Sequence, residues 1–310
     1  MTLYDLPAPA KLNLFLHVVG RRADGYHLLE SVFRLISLAD SLTIDLRLDG
    51  QISRDSTLGE QVPDDQDLVV KAARLLQTHT GVKLGAHLQV QKRIPMGAGL
   101  GGGSSDAATA LIGLNRLWRT GLTRTELAVL GLSLGADVPF FVHGQAAFVQ
   151  GVGEVVDPVP VPDASYLVFR PPVGVPTGMI FTAPDLTRNT DRVKISDFVG
   201  AREFIGRADS GPGFGRNDLE PVATRLFPVI SSAMSWAKGE GYETRLSGSG
   251  SCFFAEFDSP AAAELARAGL VAKIAGLDEG VGALRDGAFI EEVFACDGLL
   301  DHPLKHWLED

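Results

Sequence analysis

Apolar and polar positions recur in a strand-like pattern over residues 11–19, 31–37 and 41–48, which predicts three strands near the N-terminus. A helical period follows over 67–79, and a strand-like alternation returns over 86–93. Ala107, Leu111, Leu114 and Trp118 then fall on one stripe at helical spacing. Thr123 and Glu126 form a capping box that opens a helix through residue 133, and residues 146–150 read as a strand. Further along, strand patterns at 165–170, 243–246, 252–257 and 291–296 interleave with helical patterns near 218–226, 229–239 and 260–275. Such alternation predicts an α+β architecture with helices layered on antiparallel sheet. Asp157-Pro158-Val159-Pro160-Val161-Pro162-Asp163 has the proline spacing of a connection between domains, so a first domain over 1–160 and a second over 161–310 are expected.

Composition narrows the function. At 310 residues and 45% hydrophobic content the chain is long enough for two cores. A net charge of −10 argues against nucleic acid or an anionic membrane as partner, because both rely on basic clusters. A small anionic ligand is not excluded, since it responds to local fields within about 8–10 Å. Lys11, Arg21, Arg22, Lys92 and Arg93 are the cations available to it. The two cysteines, Cys252 and Cys296, have no zinc spacing and fit a reducing compartment. The N-terminus lacks the features of a signal peptide and no stretch has the length of a membrane span, so a cytoplasmic location is expected. His302 and His306 have the spacing of a metal pair, but Pro303 and the terminal position predict a solvated tail.

The chemistry concentrates in Pro95-Met96-Gly97-Ala98-Gly99-Leu100-Gly101-Gly102-Gly103-Ser104-Ser105, which joins a glycine-rich loop to the start of a helix that Ser104 and Ser105 are suited to cap. Free N–H groups at a helix N-terminus carry about half a positive charge and suit phosphate. Gly97-x-Gly99-x-x-Gly102 also satisfies the dinucleotide fingerprint, with Glu126 the nearest acidic residue at a suitable distance, but Pro95 separates it from the preceding strand. No Gly-Lys-Ser/Thr ends the glycine run, which excludes a Walker loop. From the residues alone, an ATP-dependent kinase, a nucleotide-binding sensor, a nicotinamide oxidoreductase and a plain surface turn remain open.

Three segments carry a family resemblance. Pro95 through Ala108 resembles the second motif of the GHMP small-molecule kinases, Pro9-Ala10-Lys11-Leu12-Asn13-Leu14-Phe15-Leu16 their first, and Leu246-Ser247-Gly248-Ser249-Gly250-Ser251-Cys252 their third. Arg22 through His27, Gly135 through Phe141, Gly151 through Glu154 and Asn217 through Glu220 are similar to the branch that phosphorylates a cytidine-diphosphate-linked sugar alcohol. That resemblance implies an N-terminal domain like domain 2 of ribosomal protein S5, a ferredoxin-like C-terminal domain, and ATP with Mg2+ as the phosphoryl donor. It further implies the loop from Pro95 to Ser105 for the ATP phosphates, Asp137 as the base for the attacking 2-hydroxyl, and Lys11 beside it. A lysine about 4 Å from a carboxylate interacts by roughly 4 kcal/mol at an effective dielectric near 20. By the same resemblance Tyr26 and Phe181 would sandwich the base, His27 would read its polar edge, Thr177 would lie alongside, and Asn13 would orient the acceptor hydroxyls. No dedicated metal cluster is visible in the sequence, and Ser105 is only a candidate contact for the Mg2+ that ATP brings. Asp106 and Asp67 stand where Asn is usual in the family, and at Asp67 an ionised carboxylate cannot donate to a purine.

Overall fold

The computed structural model describes residues 1–55, 63, 65–196, 198, 215–278 and 289–309. Its first sheet is built on a long antiparallel hairpin, β1 (Thr2–Arg21) and β2 (His27–Arg47), bent by four register shifts. Residues 31–37 and 41–48, expected as two strands, belong to one. The polar Asp40 that interrupts the alternation is 1% exposed and lies within the strand. Its carboxylate accepts hydrogen bonds from the N–H of Arg93 at 2.5 Å and of Ile94 at 2.8 Å, and pairs with the Lys92 ammonium. A buried charge with that many partners costs little, so the strand continues through it.

The lower part of β2 pairs with β4 (Gly85–Gln91) and its upper part with β5 (Ala147–Gly151). β3 (Ile52–Arg54) runs parallel to β4, and β6 (Val155–Pro158) extends the sheet beyond β5. The proline-spaced segment therefore begins as an edge strand, where a missing N–H is tolerated, and only then becomes a connection. Helices α1 (Leu68–Thr80), α2 (Gly102–Trp118), α3 (Arg124–Leu132) and α4 (Val138–His143) share one core with this sheet. Within α2, Ala107, Ala108, Leu111 and Leu114 are each 0% exposed, so the N-terminus of the helix is fixed by burial along its length.

The second sheet has the order β10-β7-β9-β8, from β7 (Ser165–Arg170), β8 (Arg245–Leu246), β9 (Phe253–Phe257) and β10 (Glu292–Asp297), antiparallel throughout. Helices α5 (Thr177–Thr182), α6 (Glu220–Leu226) and α7 (Pro228–Gly239) lie between β7 and β8, and α8 (Pro260–Asp278) lies between β9 and β10. This is the β-α-β-β-α-β arrangement of a ferredoxin-like unit. Leu16 and Val18 of β1 share a core cluster with Leu167 and Phe169 of β7, so the hairpin belongs to both halves.

The C-terminal residues do not form the solvated tail expected around His302. Leu299 N–H donates to Leu35 O at 2.8 Å and His302 N–H to Gly144 O at 2.7 Å, which brings the segment back onto the first half. Leu304 and Leu308, one helical turn apart, are 5% and 7% exposed and draw His302, 2% exposed, in with them. The Arg124 guanidinium donates to Val142 O, Lys305 O and Leu308 O and clamps the segment. Burial, reinforced by Arg124, pushes the His302 pKa down to about 4.

Candidate active site

The glycine-rich loop leans against the free edge of β1, and its carbonyls are tied down one after another. Gly97 O accepts from Val175 N–H at 3.1 Å, Ala98 O from Cys252 N–H at 3.1 Å, Gly99 O from the Ser247 hydroxyl at 3.0 Å, and Leu100 O from Lys11 N–H at 3.0 Å. With four consecutive carbonyls turned outward, the N–H groups are left over. None of those from Met96 to Ser104 donates a hydrogen bond within the described residues. An unpaired row of N–H groups at the mouth of a 17-residue helix is an anion cradle.

Glycine is required here at two points. Gly99 has φ +75°, and a Cβ on it would stand 2.0 Å from Ser247 O. Gly101, at φ +73°, is the N-cap of α2, and a Cβ there would meet Phe141 at 2.9 Å and the Lys11 side chain at 3.1 Å. The helix therefore opens at Gly101 and not at a serine. Ser105, expected as a cap, sits inside the first turn and donates to Pro9 O at 2.7 Å. A serine cap would place a side chain where Lys11 and Phe141 pack.

Lys11 and Asp137 meet at the cradle. The Lys11 ammonium stands 3.6 Å from Asp137 Oδ2, donates to Asn13 Oδ1 at 2.6 Å, and lies over the Phe33 ring at 4.4 Å. Burial pushes the Lys11 pKa below its ordinary value, against the opposing pull of Asp137. Asp137 begins α4, yet its carboxylate makes no capping bond. A simple helix-start aspartate would bond the first turn; this one is 31% exposed and faces a cavity of about 520 Å3 shared with Lys11 and the loop. Asn13, 1% exposed, is locked by Lys11 and by its own donation to the Ser31 hydroxyl at 2.9 Å.

Thr177 and Phe181 lie four residues apart on α5, hence on one face, and line the same cavity as Asp137. The Thr177 hydroxyl is 2.9 Å from that of Ser249. Phe181 stands against His27, with ring centroids 4.9 Å apart and planes at 30°. Tyr26, next in sequence, is 66% exposed in the turn joining β1 to β2. His27 therefore occupies the position beside Phe181, with Tyr26 outside it. Burial and the nearby Arg188 and Arg21 lower the His27 pKa, so the ring is neutral at neutral pH.

At the other end of the cavity Asp67 caps α1, accepting from the N–H of Val69 at 2.8 Å and Val70 at 3.1 Å, while Arg54 pairs with its second oxygen. Its carboxylate is thus spent on the fold. Lys92 bridges Asp40 and Asp106 behind the loop, and burial raises the Asp106 pKa to about 7 despite Lys92. Ser247, Asn217 and Arg188 had no role in the sequence reading. Ser247 links the N–H of Asn13 to Gly99 O, and Asn217 donates to Leu246 O and Gly248 O behind it. Ser247 lay within the third motif and Asn217 within the segment Asn217 through Glu220, whereas no motif pointed to Arg188. Among the described residues, no group of three or more His, Cys, Asp or Glu side chains has the arrangement to hold a metal ion, and no helix is long and apolar enough to cross a membrane.

An anion cradle at a helix mouth, an acid beside a buried lysine, and these two sheets together define a small-molecule kinase. Residues 67–145 match the GHMP kinases N terminal domain and residues 203–275 the GHMP kinases C terminal domain. The chain is 53% identical over 308 residues, 99% of each chain, to a 4-diphosphocytidyl-2-C-methyl-D-erythritol kinase of Bordetella bronchiseptica. It is 47% identical to a protein of the same name from Aromatoleum aromaticum, covering 99% of this chain and 97% of the relative. A crystal structure of 4-(cytidine 5'-diphospho)-2C-methyl-D-erythritol kinase superposes with a TM-score of 0.75 at 32% identity, covering 96% of this chain and 99% of that one. A homoserine kinase from Cytophaga hutchinsonii, at 16% identity and a TM-score of 0.66, shares the fold. The chain belongs to the GHMP kinases, phosphotransferases with an alcohol acceptor, and within them to the 4-diphosphocytidyl-2-C-methyl-D-erythritol kinase family.

Proposed function

We propose that this enzyme transfers the γ-phosphoryl group of MgATP to the 2-hydroxyl of 4-diphosphocytidyl-2-C-methyl-D-erythritol, a step of the non-mevalonate route to isoprenoid precursors. The observation that carries the proposal is the row of unpaired N–H groups from Met96 to Ser104, which opens into the same cavity as the Lys11–Asp137 pair. Phosphoryl transfer through a loose transition state asks mainly for positioning and charge stabilisation. The loop supplies both to the triphosphate. Asp137 takes the proton of the attacking hydroxyl, and its carboxylate is free for this because it caps nothing. Lys11 neutralises charge between acid and phosphate, and Asn13, fixed by Lys11 and Ser31, orients the acceptor hydroxyls.

Mg2+ enters as part of the nucleotide; Mg2+ is commonly held by substrate phosphates with one or two protein groups. Phe181 and Tyr26 close on the two faces of the cytosine, each stack contributing about 1–3 kcal/mol. His27 reads the edge of the base, and Thr177 flanks it. The test is a comparison of acceptors with purified protein and MgATP. Turnover of the cytidyl acceptor, with mevalonate and homoserine inert, is the expected result. Phosphorylation of mevalonate or homoserine with the cytidyl compound untouched overturns the acceptor assignment and leaves the kinase class intact.

A further inference from the structure

Arg188 lies in the segment that follows α5, outside every motif noted in the sequence. Its guanidinium donates to Phe181 O at 3.0 Å, Ala183 O at 2.7 Å and Leu186 O at 2.9 Å, gathering carbonyls at and just beyond the C-terminal end of α5. Its remaining nitrogen, Nε, donates to Nε2 of His27 at 3.1 Å. One side chain thus joins the helix that carries Phe181 to the histidine that stands against Phe181.

The direction of the last bond follows from chemistry. A guanidinium has five donors and no acceptor, so Nε2 of His27 must present a lone pair. The neutral imidazole then carries its proton on Nδ1, at the far side of the ring. We propose that Arg188 is a specificity-positioning residue, which selects the base of the acceptor by holding His27 as the Nδ1–H tautomer. The proposal rests on the reading above, in which His27 meets the edge of a cytosine.

A fixed donor at that place sorts the two pyrimidines. Ring nitrogen N3 is a bare acceptor in cytosine and a donor in uracil, so an Nδ1–H pairs with the first and opposes the second. A site with its hydrogen-bonding sense fixed rejects the wrong edge strongly, because a buried donor is left unpaired. Without Arg188 the ring is free to move its proton to Nε2, and Nδ1 then accepts from uracil. Arg188 touches neither substrate nor phosphate in this scheme and acts through His27 alone.

The experiment uses the full-length protein, its Arg188→Met and Arg188→Lys variants, and matched acceptors carrying cytidine or uridine. Nitrogen-15 spectra of labelled histidine read the tautomer of His27 without any substrate. The wild type should show the proton on Nδ1, and Arg188→Met should lose that pattern. The ratio of kcat/KM for the cytidine over the uridine acceptor should fall by about tenfold or more in Arg188→Met. Arg188→Lys, which keeps a cationic donor, should retain more of the discrimination. General loosening of α5 would lower activity toward both acceptors and leave the ratio alone. A proton on Nε2 in the wild type, or an unchanged ratio in Arg188→Met, overturns the proposal while the cytidyl assignment stands. A wild type that phosphorylates neither acceptor overturns the assignment and this proposal with it, whatever the tautomer.

Discussion

Asp137→Asn removes one charge from the site and almost no volume, and the structure sets what should follow. Because the Asp137 side chain makes no capping bond, α4 loses nothing locally. The glycine-rich loop, held by Val175, Cys252, Ser247 and Lys11 N–H, is also untouched. Turnover should therefore fall by about 10²–10⁴, the usual worth of a positioned base, while the KM for ATP changes by less than about threefold. The second effect falls on Lys11. At 3.6 Å the attraction is about 4–5 kcal/mol for an effective dielectric near 20, and the 31% exposure of Asp137 lets water reduce it, to a net of about 1–2 kcal/mol. A loss of that size lowers the thermal midpoint by about 1.5–3 °C in a chain of this size.

The pH dependence has a definite sign. Lys11 has a folded pKa below its ordinary 10.5, so between those two values the unfolded chain binds more protons and stability rises with pH. Asp137 is the group that raises the folded value; without it the window should open at lower pH. The stability deficit of the variant should thus be largest near neutral pH and shrink as pH climbs toward 10.5. Steady-state kinetics with both substrates and thermal melts between pH 7 and 10 measure these effects. Turnover within threefold of wild type would refute the base assignment. A deficit that grows with pH would refute the account of Lys11.

Gly99→Ala places a Cβ 2.0 Å from Ser247 O at φ +75°, so the loop must give up its bond to Ser247; the KM for ATP should rise about tenfold or more, read by kinetics or nucleotide titration. His302, buried with its pKa lowered to about 4, takes up its proton more readily in the unfolded chain, so stability should fall as pH drops from about 6.5 to about 4. About 3 kcal/mol is at stake there, and His302→Gln should flatten that limb of a Tm-against-pH curve. Burial raises the thiol pKa of Cys252, and that of Cys296 to about 12, so neither should react with a thiol reagent at pH 8 until denaturant is added.

Where local patterning decides structure, the sequence was informative. The Thr123–Glu126 capping box forms as expected, and the strand 165–170 and the helix starting at Pro260 lie within a residue or a few of their predicted ends. The break between 31–37 and 41–48 misled because a carboxylate in mid-strand, that of Asp40, is tolerable only once Lys92, Arg93 and Ile94 arrive from a segment about fifty residues away. Short α4 and α5 have too few turns to show a period, so the pattern predicted neither helix and Asp137 and Phe181 entered by resemblance. His302 misled in the opposite direction: proximity to the terminus suggested solvent, whereas the leucines around it had a core to reach. The first, second and third motifs disclosed the parts of the site by resemblance. The contacts that hold them together, from Ser247 to Gly99 and from Arg188 to His27, join residues 148 and 161 positions apart and leave no local trace.

The glycine-rich loop is fastened from both sides. Lys11 of the first half secures Leu100, whereas Val175, Cys252 and Ser247, all from beyond the proline-spaced connection, secure Gly97, Ala98 and Gly99. Neither half fastens the loop alone, although the loop sequence lies wholly within the first. A chimera that joins the N-terminal half of this chain to the C-terminal half of a distant relative would inherit the glycines but not the grip that orients them, and its failure would show first in ATP affinity.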